Sequence, residues 1–95
     1  MDRIESLVYG ILANLQGYKS EVGGKDEVGD YTVSTVNTID AGWETAIWKG
    51  NGTIVVVARY ATKEEALQGH QDWIEVCKLN PTKAWSVQTD KYVTL

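Results

Sequence analysis

Apolar residues recur at Ile4, Leu7, Val8, Ile11, Leu12 and Leu15, the i, i+3, i+4, i+7, i+8, i+11 series of one helical face, so residues 2–16 read as an amphipathic helix. Asp2 can cap its start and Gly17 its end. That aliphatic stripe needs a surface to cover: either the sheet of its own domain or the same helix of a second copy. Residues 23–30, Gly-Gly-Lys-Asp-Glu-Val-Gly-Asp, lack any apolar period and read as a flexible polar tether.

From Tyr31 the period changes to two. Residues 31–39 place Tyr31, Val33 and Ile39 on one face and Thr32, Ser34 and Thr38 on the other, as a half-buried strand does. Residues 43–49 and 53–60 form a hairpin about Asn51-Gly52, a pair suited to a type I′ turn. The resulting register sets Glu44 opposite Arg59, Trp43 opposite Tyr60 and Ile47 opposite Val56. One hairpin face carries Trp43, Thr45, Ile47, Ile54, Val56, Ala58 and Tyr60; the other carries Glu44, Ala46, Trp48, Val55, Val57 and Arg59 and is too apolar in its middle to stand bare.

Residues 62–79 carry the clearest helix signals. Thr62 and Glu65 make a capping box, Glu64 and Glu65 suit the positive end of the dipole, and Asn80-Pro81 stops the helix. At about 100° per residue, Ala66, His70, Trp73, Ile74 and Cys77 share a stripe. Gly69 weakens a helix interior by about 1 kcal/mol relative to alanine, which marks a place where a backbone or an aromatic ring comes close. Residues 83–88 and 92–95 read as two short strands. The fold class is therefore α+β: an antiparallel sheet of four to five strands packed with two helices, in the order α-β-β-β-α-β-β, within one domain of 95 residues.

Composition narrows the function classes. A net charge of -4 with scattered Lys and Arg provides no basic stripe, so neither nucleic acid nor an anionic membrane is an expected partner. A single Cys builds no disulfide framework, the first residues lack a signal-peptide pattern and no apolar run spans a bilayer, so a cytoplasmic protein is expected. Asp26, Glu27 and Asp30 lack the spacing of a calcium loop, and no cofactor or metal motif occurs.

Candidate chemistry centres on the only His. His70 and Cys77 are seven helical residues apart, about 10 Å of rise, too far for a nucleophile and its base. Glu44 or Asp40 would have to supply a carboxylate for His70 from another element. Four Trp and five Tyr with no Phe favour rings that bury area while keeping a polar edge, so Trp48 and Trp73 join His70, Glu44 and Tyr60 as candidates for holding a ligand or partner.

Gly-Trp-Glu-Thr-Ala-Ile at 42–47, Ala-Arg-Tyr at 58–60 and Thr-Lys-Glu-Glu-Ala-Leu-Gln-Gly-His at 62–70 resemble a family of small bacteriophage and prophage proteins without an assigned activity. The resemblance covers residues 32–79, and Glu44, Tyr60, Gly69 and His70 are its matching positions. It implies a phage-encoded accessory protein in the host cytoplasm. A non-enzymatic interaction module that self-associates and binds a host or phage protein is the leading expectation. An enzyme using His70 with Glu44 and an acidic inhibitor of a host nucleic-acid-binding protein are the alternatives.

Overall fold

The computed structural model describes residues 22–38 and 41–95. The helix expected over 2–16, and Ile39 and Asp40, lie outside the described residues. Within them the chain is α+β: strands β1 (Val22–Val28), β2 (Tyr31–Thr38), β3 (Gly42–Lys49) and β4 (Val55–Tyr60), helix α1 (Lys63–Cys77), then strands β5 (Lys83–Ser86) and β6 (Lys91–Thr94). The first four strands form an antiparallel sheet in the order β1-β2-β3-β4, and β5 and β6 form a separate two-stranded sheet. This corrects the expectation of one sheet containing all the strands; of the two expected helices, the second lies among the described residues.

The expected tether over 23–30 is instead an edge strand and its turn. Gly29 takes a φ of 62° and lets the chain reverse, so Val28 pairs with Tyr31 and Asp26 with Val33. Local propensity disfavours a strand with this composition, but β2 offers it a ladder of hydrogen bonds. A register shift between Val22 and Gly24 leaves Gly23 as the extra residue. A Cβ there would lie 3.1 Å from the Trp43 ring, so glycine lets the bulge close over it.

The β3–β4 hairpin keeps the expected pairs near its open end: Trp43 with Tyr60, Glu44 with Arg59 and Thr45 with Ala58. Beyond them the register slips by one residue, pairing Ala46 with Val56 and Ile47 with Val55. The turn itself is centred on Gly50-Asn51, closed by Gly52 N–H donating to Lys49 O at 2.8 Å, with Thr53 and Ile54 between it and β4; Gly50, not Asn51, carries the positive φ, at 54°. The turn therefore lies one position before the expected Asn51-Gly52. The bulge at Val57 accounts for the one-residue slip in pairing and brings Val55 and Val57 into the core together.

Helix α1 begins as its sequence dictates. The Thr62 side chain accepts from Glu65 N–H while Glu65 accepts from Thr62 N–H, completing the capping box. Its end comes where Asn80 adopts a φ of 54° just before Pro81. The buried stripe is Ala66, Gly69, His70 and Cys77, with Trp73 and Ile74 half-buried beside it. This stripe covers the sheet face that carries Tyr31, Val33, Thr35, Trp43, Thr45 and Ile47. At the end of the core, Ala84 and Val93 of the β5–β6 sheet and Leu95 just after it pack on the same cluster, and Tyr31 donates through its hydroxyl to Pro81 O at 2.5 Å. The opposite sheet face holds half-buried Ala46 and Trp48 beside the Glu44–Arg59 ion pair.

Candidate functional site

Alternation along β2 and β3 sends Thr35 and Thr45 inward among apolar neighbours, both at 0% exposure. A buried hydroxyl without a partner costs about 1–3 kcal/mol, so these two must be satisfied from within. They satisfy each other, Oγ1 to Oγ1 at 2.6 Å, and then extend in both directions. On one side the Tyr60 hydroxyl donates to Thr45 Oγ1 at 3.1 Å. On the other, Thr35 Oγ1 lies 2.7 Å from His70 Nδ1, and His70 Nε2 lies 2.7 Å from Asp26 Oδ2. Five side chains from β1, β2, β3, β4 and α1 thus form one hydrogen-bonded file across the sheet.

One direction of donation satisfies every member. Tyr60 donates to Thr45, so the hydrogen of Thr45 goes to Thr35 and that of Thr35 to His70 Nδ1. The imidazole proton is then on Nε2, facing the Asp26 carboxylate, which can only accept. The file ends at two surface positions: Asp26 has a side chain 52% exposed, and Tyr60 is half-buried at the far strand. Burial, more than the Asp72 carboxylate, pushes the Tyr60 phenol above its ordinary value of 10.0, against the opposing effect of its bond to Thr45. Burial likewise raises the Cys77 thiol, which sits in the core away from this file.

Two glycines make the file possible. The Tyr60 ring lies directly on Gly69, whose missing Cβ is the space the ring occupies. A Cβ on Gly24 would stand 2.9 Å from His70 Nε2, so the β1 backbone closes over the imidazole edge. Carboxylate, imidazole and hydroxyl occur here in the order used to activate a hydroxyl nucleophile. Thr35, however, is fully buried, and its hydroxyl is already held by Thr45 and His70. A reacting carbonyl could approach it only if the sheet opened.

Of the residues singled out from the sequence, His70 and Tyr60 belong to this file. The carboxylate that reaches His70 is Asp26, from the segment read as a tether, and not Glu44. Glu44 faces the other side of the sheet, where its Oε2 accepts from Arg59 Nε at 2.8 Å. Trp48 lies on that same outer face with the Lys25 ammonium 6.0 Å from its ring, and Trp73 packs against the core from α1. Sequence reasoning missed Thr35, Thr45 and Asp26. The available signal for the two threonines was a hydroxyl residue at an inward position of each of two adjacent strands. Among the described residues, no three His, Cys, Asp or Glu side chains gather as a metal would require.

A second candidate lies on the surface of the β5–β6 sheet. Cross-strand partners share a face, so Lys83, Trp85, Tyr92 and Thr94 all point away from buried Ala84. Trp85 and Tyr92 meet edge to face with centroids 5.1 Å apart, and the Lys83 ammonium sits 4.6 Å from the Tyr92 centroid. Both rings remain open to water, at 43% and 60% exposure.

Compared with known protein families, curated proteins and solved structures, the chain matches none. Among the described residues no helix is long and apolar enough to cross a membrane.

Proposed function

We propose that this chain is a small protein-interaction module that self-associates and acts without chemistry of its own, as a phage-encoded accessory protein in the host cytoplasm. The observation that carries the interaction reading is the exposed Trp85–Tyr92 pair, two large rings in edge-to-face contact on a hairpin whose other side is anchored in the core. Rings presented in this way supply contact area at low entropic cost and are enriched where partners bind most tightly. The phage origin rests on the resemblance of residues 42–47, 58–60 and 62–70. The non-enzymatic reading is supported by the enclosure of His70, whose two nitrogens are both occupied by side chains of the fold. Glu44 lends no support to an enzyme with His70, because it is paired with Arg59 on the opposite face. An acidic mimic of nucleic acid would need a one-sided array of carboxylates, whereas Lys25, Glu27, Glu44 and Arg59 mix both signs on one face.

The test is retention of host or phage proteins on the immobilised chain, compared with Trp85→Ala and Tyr92→Ala. Both variants should keep their thermal midpoint within a few degrees and lose the retained partner. Equal retention by all three chains removes the hairpin face from the proposal. A strict monomer across micromolar concentrations that also retains nothing removes the interaction reading altogether.

A further inference from the structure

β1 is the terminal strand of the described sheet, so half of its backbone donors and acceptors point away from β2. The two-residue turn closes on the hydrogen-bonded pair Val28 and Tyr31. Alternation then turns the backbone groups of Val28 and Asp26 toward β2 and those of Lys25 and Glu27 outward. The Lys25, Asp26 and Glu27 side chains are all exposed. Charges at the middle of an edge repel most strands. A strand that opposes each charge with its opposite is the exception.

We infer that the outer edge of β1 pairs antiparallel with β1 of a second copy, about a two-fold axis at Asp26, joining two four-stranded sheets into one of eight. This deepens the self-association proposed above and rests on it. Symmetry limits the choices. Residues facing each other across an antiparallel pair must both be of the outward-bonding kind or both of the other, so a two-fold axis has to pass through a residue and its own copy. Centred on Lys25 or on Glu27, the pairing opposes like charges at the axis and sets the remaining charges against Gly23, Gly24, Val28 or Gly29, with no opposite-charge pair to offset them. Centred on Asp26, it sets Lys25 against Glu27 of the second copy and Glu27 against its Lys25, two opposite-charge pairs on one face of the sheet. The remaining self-opposition, Asp26 with its copy, costs one like-charge contact against two attractive ones, and each of these carboxylates already accepts from its own His70.

The helix supplies a second, independent observation. A two-fold axis perpendicular to the sheet places α1 of both copies on the same side. Tyr60 lying on Gly69 fixes which flank of α1 looks toward β4. At 100° per residue, Leu67 and Ile74 occupy the opposite flank, toward β1. Leu67 is 39% exposed there, and Ile74 is half-buried. Joined edges turn these two flanks toward each other on the same side of the sheet.

The experiment is light scattering of the full chain at low ionic strength across micromolar concentrations, with Lys25→Glu, Glu27→Lys and an equimolar mixture of the two variants. The wild-type chain is expected to be a dimer. Each single variant turns two attractions into two repulsions and should raise the dissociation constant at least roughly tenfold. Mixing the variants should restore the dimer, because one chain then presents two carboxylates to the two ammonium groups of the other. Unchanged circular dichroism shows that the folds are intact. Single variants that dimerise like the wild type overturn this edge while leaving self-association standing. A wild-type monomer overturns both.

Discussion

The phenol ring of Tyr60 occupies the space that a side chain at position 69 would fill, so a strand residue and a helix residue interlock where the helix has a glycine. The ring in turn places its hydroxyl on Thr45, at the head of the buried file. Substituting Gly69→Ala should therefore destabilise the fold by up to about 2 kcal/mol, because overpacking costs about 1–3 kcal/mol against a gain of about 1 kcal/mol in helix propensity. In a Tyr60→Ala background the sign should reverse, and Gly69→Ala should stabilise by up to about 1 kcal/mol. Urea midpoints of the four chains measure this; a penalty that persists without the ring would show that something else fills the space.

Thr35 carries the centre of the file, accepting from Thr45 and donating to His70. Thr35→Val keeps the shape and strands two buried partners, at a cost of about 1–3 kcal/mol. Thr35→Ser should cost less, since the hydroxyl remains. A double Thr35→Val, Thr45→Val chain should be less destabilised than the sum of the two single changes, because the second removes a group the first left unsatisfied. Additive losses would mean that the two hydroxyls do not depend on each other.

The one-way donation from Tyr60 to Asp26 fixes the tautomer of His70. Nitrogen NMR of the imidazole should find the proton on Nε2 and a bare, accepting Nδ1. Asp26→Ala should leave a folded chain but speed hydrogen exchange in β1 relative to β2 and β3, because it removes the carboxylate that ties the edge strand to α1. A proton on Nδ1, or β1 amides indifferent to the substitution, would contradict this direction.

Tyr60 and Cys77 both lose protons less readily in the folded chain than their ordinary values of 10.0 and 9.0. Unfolding then releases protons at alkaline pH, so stability falls as pH rises there. The contribution is fully present below the ordinary values and is lost as pH climbs through the raised ones. Urea midpoints from neutral to strongly alkaline pH should decline, and Tyr60→Phe combined with Cys77→Ala should decline less steeply. An equal slope in that double variant would assign the alkaline loss to other groups.

Local signals in the chain were enough to specify α1 from its Thr62 cap, because a capping box is complete within four residues. Alternation alone likewise defined β2, β3 and the pairing of Trp43 with Tyr60 and Glu44 with Arg59. Tertiary structure decided what depends on distant partners. Residues 23–30 have a loop composition and become strand and turn because β2 supplies a ladder; the hairpin register slips where a bulge lets Val55 and Val57 share the core. The same holds for the polar file. Asp26 and His70 stand 44 positions apart and Thr35 and His70 stand 35 apart, and no periodicity reports which strand passes beneath which turn of helix. Hydrogen bonding within a few residues is written in the order of the amino acids, whereas the meeting of edge strand, helix and inner strands follows from burying all their apolar faces at once.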